Sequence, residues 1–107
     1  MFLEEQAPKE VFRWSEVLPV KEGEFTSQPV LLQTEVDALL ISLDGGQKIP
    51  AHETEKTAIL TFLSGEAEVT IDDDIYTLHE GEAIIIPPHA VHALYAVRPF
   101  QMMLVKR

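Results

Sequence analysis

The chain contains no cysteine in its 107 residues, which excludes both a disulfide framework and a thiolate metal site. It is also poor in base, with eight Lys and Arg against eighteen Asp and Glu and a formal charge of −10. Those few cations are scattered, only Lys106 and Arg107 being adjacent, whereas phosphate backbones are held by clustered Lys and Arg. No nucleic-acid partner is expected. No apolar run approaches the ~20 residues that span a bilayer, so no membrane partner is expected either. The opening residues Met1-Phe2-Leu3-Glu4-Glu5 do not follow the basic-then-apolar order of a secretory leader. The expectation is a cytoplasmic protein whose acidity serves solubility.

A sustained helical period with caps is missing too. What the chain does hold is a series of short apolar alternations punctuated by turn residues, which predicts an all-β architecture. Its length and its 46% hydrophobic content fit one domain with one core. Within that domain residues 1–28 read as an N-terminal arm with a short strand around Glu10–Trp14, and residues 29–107 as a barrel. Predicted strands run over 30–34, 38–43, 48–54, 57–63, 67–71, 75–78, 83–86, 92–97 and 101–106. Ser64-Gly65-Glu66 and Arg98-Pro99 separate two of these pairs. Asp72-Asp73-Asp74 lies between alternating runs and lacks the later ligands of a calcium loop, so it predicts a hairpin turn.

Two glycine-anchored segments each set one histidine on a predicted strand. The first carries Gly46, His52, Thr54, Ala58 and Gly65, and the second carries Gly81, Pro87, His89, His92 and Ala96. Their offsets resemble the two motifs of the cupin superfamily over residues 38–105. In the first, Gly46, His52 and Gly65 match, while Thr54 replaces a histidine and Ala58 the glutamate. In the second, Gly81, Pro87 and His92 match, while His89 replaces a glycine and Ala96 an asparagine.

The resemblance implies a cupin-type jelly-roll β-barrel, or double-stranded β-helix, with a pocket inside. His52 and His92 would face each other there, lined by Thr54, Ala58, Leu60, Phe62, Leu94 and Ala96. Similarity to small single-domain cupins also implies a homodimer. Phe12 and Trp14 alternate with Val11 and Arg13, as in a core or edge strand or in one exchanged with a second subunit, which would hide a sheet edge. Met102-Met103-Leu104-Val105 offers apolar side chains to both faces of its strand.

Cupins usually hold a divalent metal with three histidines and a glutamate, and only two of those four ligands stand here. The expectation is therefore a small-molecule-binding cupin with a degenerate metal site. The alternative is a metal-dependent enzyme, dioxygenase- or isomerase-like, in which His52 and His92 ligate Zn, Ni, Mn or Fe. Missing donors would then come from His89, from Glu53 or Glu55 turned inward by a bulge, or from substrate. A metal-free isomerase with one imidazole as its acid–base group is a third reading, for which no acidic partner stands on the same face. His79 is expected on the surface.

Overall fold

A computed structural model describes residues 2–107, leaving Met1 outside the described residues. Seven strands are found, β1 (Phe25–Leu32), β2 (Asp37–Leu43), β3 (Lys48–His52), β4 (Ala58–Ile71), β5 (Asp74–His79), β6 (Ala83–Ile86) and β7 (His92–Lys106). Two one-turn helices, α1 (Phe2–Glu5) and α2 (Trp14–Val17), precede them. Every strand pairing is antiparallel, in the order β1-β2-β7-β4-β5, with β3 added to β7 and β6 added to β4. The connectivity repeats: β2-β3-β4 and β5-β6-β7 each end in a long strand that pairs with the other's. The sequence shows no matching repeat.

The two long strands, β4 with 14 residues and β7 with 15, correct the expected breaks at Gly65 and Pro99. Those residues face each other in the ladder, where the register shifts around Ser64 and Glu66. Both strands therefore bend together instead of ending. Gly65 has φ +81°, and a Cβ there would sit 2.0 Å from the Pro99 carbonyl oxygen and 2.6 Å from Phe100 Cα. Only a residue without a side chain lets the strands approach so closely. The shifts also reverse the alternation: Ala58, Leu60 and Phe62 are buried on one side of the bend, Ala67 and Val69 on the other. Phe62 and Phe100 stack edge to face at 5.2 Å beside it, an aromatic contact worth about 1 kcal/mol beyond area burial.

β1 is an edge strand, and Pro29 is accommodated there by a register irregularity, as a residue without an N–H requires. The boundary expected at residue 28 falls inside this strand. No strand forms over 10–14, contrary to expectation; Arg13 is extended and Trp14 opens α2. Phe2, Phe12 and Trp14 instead form an aromatic cluster with centroids 4.9–5.7 Å apart. Phe2 and Trp14 pack with Val30, Leu40, Leu63 and Met103 on the outer face of the sheet. The arm thus covers its own chain's barrel, which is why β2 and the end of β7 are apolar on both faces.

A buried polar clamp holds it there. The Gln101 amide donates to the carbonyls of Trp14 at 2.9 Å and Leu18 at 3.0 Å, and the Ser42 hydroxyl donates to Leu18 at 2.6 Å. Gln101 and Ser42 are buried, so these bonds satisfy groups that would otherwise be costly inside. No helix among the described residues is long and apolar enough to cross a membrane.

Candidate functional site

The bent sheet encloses a cavity of about 190 Å³. Ile49, Leu60, Leu94 and Met102 wall it and are buried, whereas His52, Thr54 and Phe25 line it from more exposed positions. An engineered apolar cavity of about 150 Å³ holds benzene, so this space suits a molecule with a body near one six-membered ring.

His52 reaches the cavity through a local irregularity. Ile49 pairs with Leu94 and His52 with His92, so three steps on β3 match two on β7. The bulge at Pro50–Ala51 puts Ile49 and His52 on the same side, where strict alternation would oppose them. The two rings lie 4.2 Å apart between centroids, inclined at 59°. His92 is buried and His52 exposed.

Both imidazoles are pinned alike. His52 Nδ1 lies 2.8 Å from the Pro50 carbonyl oxygen and His92 Nδ1 lies 3.0 Å from that of Ala90, each two residues back. A carbonyl only accepts, so each Nδ1 carries the proton and donates it. In the neutral ring that leaves Nε2 as an acceptor with its lone pair available. Neither Nε2 has a protein hydrogen bond among the described residues. Thr54 Oγ1 accepts the Lys56 N–H at 3.3 Å, so its own O–H remains available as a donor.

The other residues expected in the pocket divide. Ala58, Leu60 and Leu94 line the cavity with the histidines and Thr54, but Phe62 and Ala96 do not. These two are fully buried, and their backbones anchor the motif turns. Ala96 accepts from Gly46 N at 2.8 Å, while Phe62 accepts from Gly81 N at 2.8 Å and donates to Glu82 at 2.9 Å. The glycine turns are thus stitched to the two long strands, which delivers β3 and β6 to the barrel.

Glu53, Glu55 and His89 do not line the cavity. Glu53 instead approaches His89 Nδ1 at 3.9 Å on the outside. His89 has φ +68°, so the site of the expected glycine keeps its left-handed backbone with a side chain in place. Its N–H donates to the Thr54 carbonyl at 2.8 Å and ties two loops together. His79 is exposed, and its N–H donates to the Glu82 carboxylate at 2.8 Å. That bond, aided by the His79 side chain, holds the Glu82 carboxyl below the usual glutamate range.

Comparison with known proteins settles the family. The cupin domain model matches residues 39–106. The chain belongs to the cupin family. A conserved protein of unknown function from Streptococcus pyogenes is 35% identical, with 94% of this chain and 89% of that one covered and a TM-score of 0.90. A cupin superfamily protein from Desulfitobacterium hafniense is 21% identical over 94% and 92% of the two chains, with a TM-score of 0.89. A DMSP lyase from Ruegeria pomeroyi shares the fold at 22% identity and a TM-score of 0.72, over 78% of this chain and 46% of that one. No curated protein matches the chain.

For this cupin the donor set does not fit a metal held by the protein alone. Such sites take three or four protein ligands, and the cavity offers two imidazoles, a neutral hydroxyl and the methyl of Ala58. No group of three or more His, Asp or Glu could hold an ion among the described residues. Several lining residues, among them Phe25, Ile49, Met102 and Lys106, are not among those expected in the pocket, and Lys106 is the charged one. It lies beyond the last motif position, although its alternation with Met102 and Leu104 places it on their face.

Proposed function

We propose that this cupin binds a small, largely apolar molecule in its barrel, through hydrogen bonds to the Nε2 atoms of His52 and His92. The observation that carries the reading is the paired pinning of both Nδ1 atoms to backbone carbonyls. It fixes the tautomer and leaves two neighbouring acceptors in an apolar wall, the usual layout of a site where few polar groups orient a ligand. A cytoplasmic location and a homodimer belong to this proposal, as the sequence suggests.

The test is thermal stabilisation of chelator-treated protein by small alcohols and organic acids. A ligand at 100 times its Kd contributes about 2.7 kcal/mol, which His92→Phe should abolish while leaving the barrel folded. Equal stabilisation of the variant would refute the reading.

A second reading, metal-dependent enzyme, is favoured by the same pinning, because metal-ligating histidines commonly donate their other N–H to a carbonyl. Zinc, nickel, manganese or iron near one equivalent in untagged protein, lost on His52→Ala, would support it over the first. Metal content unaffected by that change would eliminate it.

A further inference from the structure

The cavity carries the opposite charge from the molecule around it. The chain holds eighteen acidic residues, yet no described acidic side chain lines the cavity, and its one charged wall residue is Lys106. No ion pair or hydrogen bond engages Lys106 among the described residues. Its ladder neighbours are Asp37 on β2 and Ala58 on β4. The Asp37 carboxylate is already taken by Lys56 at 3.1 Å, and Ala58 offers no charge. Lys106 shares a strand face with Met102 and Leu104 on the half of β7 that follows the bend, and His92 lies on the half that precedes it.

We infer that Lys106 is an anion-binding residue and that the ligand is a small monocarboxylic acid bearing a hydroxyl group. This rests on the reading of the cavity as a binding site and specifies its ligand. One half-buried ammonium beside an apolar wall balances one negative charge, and the partial shielding from water strengthens that pairing while leaving it open to salt. A phosphate dianion would find no arginine fork or second lysine among the lining residues. The neutral imidazoles accept at Nε2, so they cannot donate to a carboxylate, and they call for a separate O–H on the ligand. A cavity of about 190 Å³ limits the body between those groups to roughly the size of benzene.

The experiment is calorimetric titration of the full chain with 3-hydroxybenzoate, benzoate and benzyl alcohol, on wild type, Lys106→Met and Lys106→Gln. Wild type should bind 3-hydroxybenzoate tightest, with an affinity that falls as salt rises. Both variants should weaken the two acids at least tenfold and leave benzyl alcohol within about twofold. Lys106→Gln keeps a polar head, so agreement between the variants separates charge from packing. Unchanged acid affinity in either variant, or salt-independent binding of the acids, would overturn the role of Lys106 while leaving the cavity a binding site. Failure of all three probes to bind wild type would overturn both readings.

Discussion

Replacing Gly65 by alanine tests the bend that creates the cavity. Four described glycines have positive φ, from +69° to +84°, but only at Gly65 does an added Cβ meet anything within 4 Å. At Gly46 and Gly81 the substitution should therefore cost only left-handed strain, about 1–2 kcal/mol. At Gly65 the same strain is joined by overlap with the Pro99 and Phe100 backbone, which cannot rotate aside as a side chain can. Relief requires parting β4 from β7 at the bend, at a further ~2–3 kcal/mol typical of overpacking. Unfolding entropy scales at about 2.1 cal/mol/K per residue, so for a chain of this length 1 kcal/mol moves Tm by roughly 4 °C. Gly46→Ala and Gly81→Ala should lower Tm by about 4–9 °C, and Gly65→Ala by about 13–22 °C or to no folded state. Calorimetry on the three variants decides it. A Gly65→Ala loss within the range of the other two would show that the close approach does not hold the bend.

Gln101→Ala removes one donor from each of the Trp14 and Leu18 carbonyls, which keep the Leu18 N–H and the Ser42 hydroxyl, and the two lost bonds should cost about 1–3 kcal/mol. The chain's single Trp should report it as red-shifted emission with an earlier urea midpoint, and unchanged emission would count against the clamp. The Glu82 carboxyl, lowered chiefly by the His79 backbone N–H and next by its side chain, should titrate below the ordinary glutamate range by carbon NMR. Because the folded value lies below the unfolded one, its contribution is present above the ordinary range and fades as pH falls through the lowered value. His79→Ala keeps the backbone donor, so most of the lowering should survive; full return to the ordinary value would contradict that order of causes. His89→Gly should hold or raise stability by up to about 1 kcal/mol, since relief of left-handed strain exceeds the added unfolded-chain entropy. A midpoint lowered by more than about 1 kcal/mol would mean that the His89 side chain does more than occupy a turn.

What the sequence makes legible is local. The offsets from Gly46 to His52 and from Gly81 to His92 each span no more than one short strand and its flanking turns, and in the structure both histidines reach one cavity. The hairpin at Asp72–Asp73 is equally local, with Asp72 at φ +52°. Less legible is anything decided by a partner strand. Gly65 and Pro99 each look like a terminator, and only their juxtaposition turns two breaks into one shared bend. Phe62 and Ala96 lie on the correct faces but on the far side of the turns they anchor, a depth that alternation does not encode. Glu10–Trp14 alternates as a strand would, yet it has no ladder to join, and aromatic packing on the arm governs it. Lys106 could have been found by extending the inward face of Met102 and Leu104 by one more step.

β7 is the partner of β2, β3 and β4, and it leaves the ribosome after all three of them. The earlier strands can form hairpins as they emerge, but the closed sheet has no template until β7 arrives. Such vectorial delay, with pairings of high sequence separation, predicts slow barrel closure. During it the apolar faces of β2 and β4 stay open to chaperones or to aggregation. Shortening the chain by a few residues within β7 should then harm solubility far more than the number of atoms removed would suggest.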